Sequence, residues 1–207
     1  MNAPFPGLLL WFALASVALG AEPPRTLVFF GDSLTAGYGL DDPATESYPA
    51  RVQRRIDDAG RPWRVVNAGL SGETTSGGLR RVDWVLRQPV DIFVLALGGN
   101  DGLRGIEPAV SAANLQGIVD HVRAKYPAAR IVLAGMQMPP TMGDDYAREF
   151  RALYPALAAK NRLVFIPFLL EGVGGRSDLN QPDGIHPTAA GAAMVAETVW
   201  HALLPLL

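Results

Sequence analysis

Six consecutive apolar residues, Ile92-Phe93-Val94-Leu95-Ala96-Leu97, stop at Gly98-Gly99. An apolar run without alternation, bounded by glycine, reads as a strand buried on both faces. A parallel sheet with helices on each side buries a strand in this way. The rest of the chain fits that demand. Strand-like runs recur at Leu27–Phe30, Trp63–Asn67, Ile131–Ala134 and Leu163–Ile166.

Helix-like stretches lie between these runs. Tyr48–Ile56 is closed by Gly60 and Pro62, and Gly77–Leu86 places Leu79, Val82 and Leu86 at helical spacing. In the stretch from Pro108 to Tyr126, Leu115, Ile118, Val119, Val122 and Tyr126 form one apolar stripe. Tyr146, Phe150, Leu153 and Leu157 mark a further helix, which Pro155 is expected to kink or split. Thr188 caps a last helix whose inner face is Ala192, Val195, Ala196, Val199 and Leu203. The alternation predicts an α/β domain, a three-layer α/β/α sandwich around a five-stranded parallel sheet. With 207 residues, 49% of them hydrophobic, the chain can bury one such core.

A net charge of −2 and a pI near 5.9 give no electrostatic case for nucleic acid. Cysteine is absent, which removes disulfides, thiolate metal sites and cysteine nucleophiles together. The N-terminus carries the compartment signal. An uncharged apolar run from Leu8 to Leu19 ends in Ala18-Leu19-Gly20. Small residues at −3 and −1 predict a secretory signal over residues 1–20, cleaved after Gly20, leaving a domain over 21–207. The run falls short of the roughly 20 apolar residues of a membrane span. No Lys or Arg precedes it, so an uncleaved anchor is the alternative. After cleavage, a periplasmic or secreted protein without stable membrane insertion is expected.

Gly31-Asp32-Ser33-Leu34 ends the first strand, and open α/β sheets gather ligands at the carboxyl ends of their strands. The segment suits either a helix-capping turn or a nucleophile. Of the three histidines, His121 sits within a helix beside Asp120 and Arg123, on a solvated face. His201 lies in the last helical turn, where an imidazole suits the dipole. His186 differs, because it belongs to the loop Asp183-Gly184-Ile185-His186-Pro187. That spacing lets a carboxylate reach Nδ1–H and leaves Nε2 free as a base, although the pair would also serve merely to cap the last helix.

Gly69 and Asn100 follow the second and third strands and reach the same sheet edge. A backbone N–H and a side-chain amide suit a developing oxyanion, though both residues also make good turns. No Gly-x-Ser-x-Gly elbow, Walker-type loop or Gly-x-Gly-x-x-Gly is present. Asp32 is a poor orienter of a base for its neighbour Ser33, since adjacent side chains diverge. A single loop histidine argues against a metal site.

In order along the chain, Gly31-Asp32-Ser33-Leu34, Gly69, Gly98-Gly99-Asn100-Asp101 and Asp183-x-x-His186 resemble the SGNH (GDSL) hydrolase family. Gly99-Asn100-Asp101-Gly102-Leu103-Arg104-Gly105 and Asp183-Gly184-Ile185-His186-Pro187 are similar to its bacterial periplasmic branch of arylesterases and acyl-CoA thioesterase I/lysophospholipases. The resemblance implies a flavodoxin-like SGNH fold. It also implies Ser33 as nucleophile, His186 as base and Asp183 as its orienter. The Ser33 N–H, the Gly69 N–H and the Asn100 amide would then form an oxyanion hole. Small acyl esters or thioesters are the implied substrates, and no cofactor is required. The loop after the fourth strand lines the acyl site in the family, which singles out Met138, Pro139, Pro140, Thr141 and Met142. In the thioesterase-like branch this loop reads Pro-x-Asn-Tyr-Gly, whereas here it reads Pro139-Pro140-Thr141-Met142-Gly143, so chain-length preference does not carry over. A carbohydrate O-acetylesterase with the same triad and a non-catalytic periplasmic binding protein are the alternatives.

Overall fold

The computed structural model describes residues 23–207; the expected signal segment and its cleavage site lie outside the described residues. Five parallel strands make one sheet: β1 (Arg25–Gly31), β2 (Trp63–Gly69), β3 (Ile92–Ala96), β4 (Arg130–Ala134) and β5 (Val164–Ile166). Their order is β2-β1-β3-β4-β5. Every residue of β3 is buried, as is β1 beyond Arg25, which is why both read as unbroken apolar runs. β2 is an edge strand and buries only Trp63 fully.

Eight α-helices are present among the described residues. They are α1 (Ser33–Ala36), α2 (Pro43–Glu46), α3 (Tyr48–Asp58), α4 (Thr75–Val85), α5 (Gly99–Leu103), α6 (Pro108–Lys125), α7 (Asp144–Asn161) and α8 (Ala189–Leu203). The chain steps from β1 outward to β2, then returns past β1 to β3. Right-handed crossovers in opposite directions put α3 and α4 on opposite faces. α3 packs against α8 on one face, and α4, α6 and α7 pack side by side on the other. Successive side chains of β1 serve these two layers. Phe29 meets Tyr48 of α3 edge-on at 5.3 Å, while Phe30 lies 5.4 Å from Phe93 and faces Gly78 of α4.

This strand order creates the one topological switch of the sheet. β1 and β3 are neighbours, yet the chain leaves them toward opposite faces, opening a crevice at their carboxyl ends. The loops after both strands line it.

The expected split at Pro155 does not occur: α7 runs unbroken from Asp144 to Asn161. Pro155 and Arg151 are exposed, so the carbonyl that loses its partner faces solvent, while Phe150, Leu153, Tyr154 and Leu157 keep the inner face buried. The short helices α1, α2 and α5 have four or five residues, too few to show a helical period. Two substitutions weigh these features. Phe93→Ala, at the centre of the sheet, should cost about 3–5 kcal/mol of stability. Pro155→Ala should raise the unfolding midpoint, because it restores a backbone donor on the exposed face. Thermal or denaturant melts of both variants against the parent check the two signs.

Candidate active site

β1 ends at Gly31 because the chain must turn there against its own helix. A Cβ on Gly31 would lie 2.0 Å from Thr35 Oγ1 and 2.7 Å from the Ala96 carbonyl. Asp32 then caps α1, its Oδ1 accepting the Leu34 N–H at 3.0 Å. The hydroxyls of Thr35 and Tyr48 share a buried hydrogen bond of 2.7 Å that fixes α1 to α3. The capping reading and the nucleophile reading are therefore compatible: Asp32 makes the turn, and Ser33 is presented by it.

Ser33 Oγ lies 2.9 Å from His186 Nε2, and His186 Nδ1 lies 2.7 Å from Asp183 Oδ2. The other oxygen of Asp183 accepts the N–H groups of Ile185 at 2.9 Å and His186 at 3.0 Å. The His186 N–H, with its ring and the Ile185 N–H, holds the Asp183 carboxyl down at about 2. An ionised Asp183 selects the tautomer with hydrogen on Nδ1, leaving Nε2 to accept from Ser33. Gly184 supplies the positive φ of 70° that this tight loop requires. Asn180 roots the loop, donating to the carbonyls of Val173 at 2.6 Å and Arg176 at 2.7 Å.

Asn100 lies on α5, at the mouth of the same crevice. Its amide donates to the Glu73 carbonyl at 3.0 Å and lies 3.5 Å from Asp32 Oδ2, too far for more than a weak bond. One of its two N–H groups is thus held by the loop after β2, and the second has only the long contact with Asp32. The Ser33 N–H has no acceptor among the described residues.

Gly69 does not offer the free N–H expected of it. That N–H donates to Asn67 Oδ1 at 2.9 Å, and the residue is glycine for a packing reason, since a Cβ would lie 2.3 Å from the Ala36 nitrogen. Three residues on, Gly72 has φ 78°, and its N–H meets no acceptor among the described residues. Its loop is tied to α5 twice, through Asn100 and through Arg104, which donates to the Gly72 carbonyl at 3.1 Å.

Three further anchors escaped the sequence reading. Glu73 is buried in a bidentate pair with Arg81, whose guanidinium also donates to the Ala68 carbonyl and lies 4.4 Å from the Phe30 ring. Asp101, fully buried, accepts from the Thr75 N–H at 2.8 Å, the Thr75 hydroxyl at 2.5 Å and the Ser111 hydroxyl at 3.2 Å. It locks α5 to α4 and α6, where the sequence suggested an ordinary turn. Tyr38 lays its ring on His186, centroids 4.6 Å apart.

The other histidines stay apart from this site. His121 pairs with Asp83 of α4 at 2.7 Å, and His201 is exposed in the last turn of α8. Of the loop after β4, half-buried Met138 packs on α5, where a Cβ at Gly102 would lie 2.0 Å from its sulfur. Pro140–Met142 form a 3₁₀ turn beyond exposed Pro139, with Thr141 exposed and Met142 half-buried. Among the described residues, no group of acidic or histidine side chains is arranged to hold a metal ion.

Esterase TesA of Pseudomonas aeruginosa is 42% identical over 202 residues, covering 97% of this chain and 98% of its own. The thioesterase 1/protease 1/lysophospholipase L1 of Escherichia coli K12 is 34% identical, covering 94% of this chain and 90% of its own. A crystal structure of TesA superposes with a TM-score of 0.83 at 43% identity, covering 88% of this chain and all of that one. Residues 29–194, from β1 into α8, match a single family description. On sequence, fold and the meeting of Ser33 with His186, the chain belongs to the GDSL-like lipase/acylhydrolase family.

Proposed function

We propose that this protein is an exported serine ester hydrolase that cleaves small acyl esters and thioesters through an acyl-enzyme on Ser33. The 2.9 Å contact between Ser33 Oγ and His186 Nε2, across 153 residues of chain, carries this reading. Ser33 Oγ attacks the carbonyl carbon while His186 Nε2 takes its proton. Asp183 holds Nδ1–H throughout and stabilises the imidazolium that forms. The oxyanion meets the Ser33 N–H, the second N–H of Asn100 and the Gly72 N–H, which replaces Gly69 in this role. Collapse of the tetrahedral intermediate expels an alcohol or thiol, which His186 protonates. Water, deprotonated by His186, then releases the acid.

Relatives named as an esterase and as a thioesterase/lysophospholipase support both leaving groups. The apolar run before Gly20 supports export, and no described helix is long and apolar enough to cross a membrane. The recess beside Ser33, lined by Leu34, Leu40, Tyr48, Leu170 and Val195, measures about 10 Å³, room for roughly one water. The acyl chain is assigned instead to the apolar surface of the loops around Ser33, where Leu70, Leu103 and Ile185 are exposed.

A serine-directed fluorophosphonate should label wild type and leave Ser33→Ala unlabelled. Wild type that resists labelling would identify a binding protein instead. A panel of acyl esters, acyl-CoAs and acetylated sugars then separates the esterase and thioesterase activities from a sugar deacetylase.

Asn100→Ala should lower kcat by about 10²–10³-fold with little change in KM, because the amide meets charge that exists only in the transition state. A variant that melts early yet turns over normally would assign Asn100 to the turn alone.

The buried Asp32 carboxyl gives a pH-dependent stability. Burial pushes it up from 3.8 to about 6, against the opposing pull of the Leu34 N–H and His186. Between those values the folded state binds more protons than the unfolded one, so stability falls as pH rises through the window. Asp32→Asn keeps the cap and removes the titration. Its melting temperature should gain on wild type from about pH 4 to about pH 6 and then hold level.

A further inference from the structure

The two halves of the reacting pair sit on different loops, and one side chain spans them. Gln181, two residues before Asp183, donates from Nε2 to the Tyr38 carbonyl at 2.8 Å and to the Pro187 carbonyl at 3.0 Å. Tyr38 closes the turn that carries Ser33, its own N–H donating to the Ser33 carbonyl at 3.1 Å. Pro187 directly follows His186. The Gln181 backbone N–H also donates to the His186 carbonyl at 2.7 Å, and its carbonyl accepts from Gly184 at 2.8 Å.

Both amide hydrogens of one carboxamide are thus spent on two catalytic loops, one bond to each. The fit is close on the nucleophile side: a Cβ on Gly39 would lie 2.1 Å from Gln181 Oε1. The Tyr38 ring, carried by the same turn, rests on the His186 imidazole. Ser33 and His186 come together across the gap that Gln181 bridges.

We propose that Gln181 is a positioning residue for the reaction, its carboxamide setting the Ser33–His186 separation by clamping the nucleophile loop to the histidine loop. The inference rests on Ser33 and His186 being the reacting pair. It does not involve Gln181 touching substrate. Proton transfer in the first step requires the 2.9 Å approach of Oγ to Nε2. A misplacement of about 1 Å between such groups costs on the order of 10²-fold in rate.

Two variants test it by hydrolysis of p-nitrophenyl acetate. Gln181→Ala removes the clamp, and Gln181→Glu sets a carboxylate of the same size against two carbonyl oxygens. Both should lose on the order of 10²-fold in kcat with KM nearly unchanged, and fluorophosphonate labelling should slow in parallel. The glutamate variant regains one donor when protonated, from a reference carboxyl pKa of about 4.3. Its activity relative to wild type should therefore climb as pH falls from about 7 to about 5, while the alanine variant's ratio stays level. Loss of fold alone would not produce that difference between the variants. Unchanged kcat in Gln181→Ala, or a flat ratio for Gln181→Glu, overturns the proposal while wild type remains an active hydrolase. Wild type that neither turns over nor takes the fluorophosphonate overturns the hydrolase reading, and this inference with it.

Discussion

β1 and β3 lie side by side as parallel neighbours, Gly31 opposite Ala96, and the chain leaves them for opposite faces of the sheet. Both strands are buried above and below, so their register is fixed by packing over their whole length. That register places the turn at Ser33 and the first turn of α5 at Asn100 on the two lips of one crevice. Gly31 lets α1 fold back against the strand end, and its Cα hydrogen occupies space that a methyl would contest with Thr35 and Ala96. The edge that carries Ser33 and Asn100 is thereby a consequence of how two strands pair.

Four carboxyl groups surround that edge, and their environments divide them. Glu73 is paired with Arg81, and Asp101 is hydrogen-bonded by hydroxyl and backbone donors from α4 and α6. A buried carboxylate without such partners is costly, and Asp32 shows it: one N–H and a distant amide do not offset its burial. Asp183, nearer the surface and fed by two N–H groups and an imidazole, stays ionised far into acid. Of the two aspartates beside Ser33 and His186, burial raises Asp32 while its hydrogen bonds lower Asp183, the carboxyl that contacts the imidazole.

The sheet was legible because buried parallel strands leave a plain trace, five apolar runs separated by helical stripes. The Asp183–His186 pair was legible because both partners lie within one short loop. Gly69 misled, since the availability of an N–H depends on what a neighbouring side chain does. Asn67 turns its carboxamide onto that N–H, and nothing in the spelling of the loop announces it. Gln181 went unread for the same reason: its partners are main-chain carbonyls, one of them 143 residues away. Of the two outcomes expected of Pro155, the split did not occur, because the cost of a helix proline depends on which face of α7 it occupies. Glu73 and Arg81 carried no signal beyond two charges eight residues apart.

Asp183 and His186 are joined within a loop of four residues, closed by the Asp183 side chain on two of that loop's own N–H groups. The proposed base and its orienter are therefore built as one unit, whose distance to Ser33 is set by the contacts of this loop with the rest of the fold. A displacement of the loop that keeps these bonds carries the carboxylate along with the imidazole, and Nδ1 keeps its hydrogen. Such a displacement changes the gap between Oγ and Nε2 and leaves the tautomer as it was.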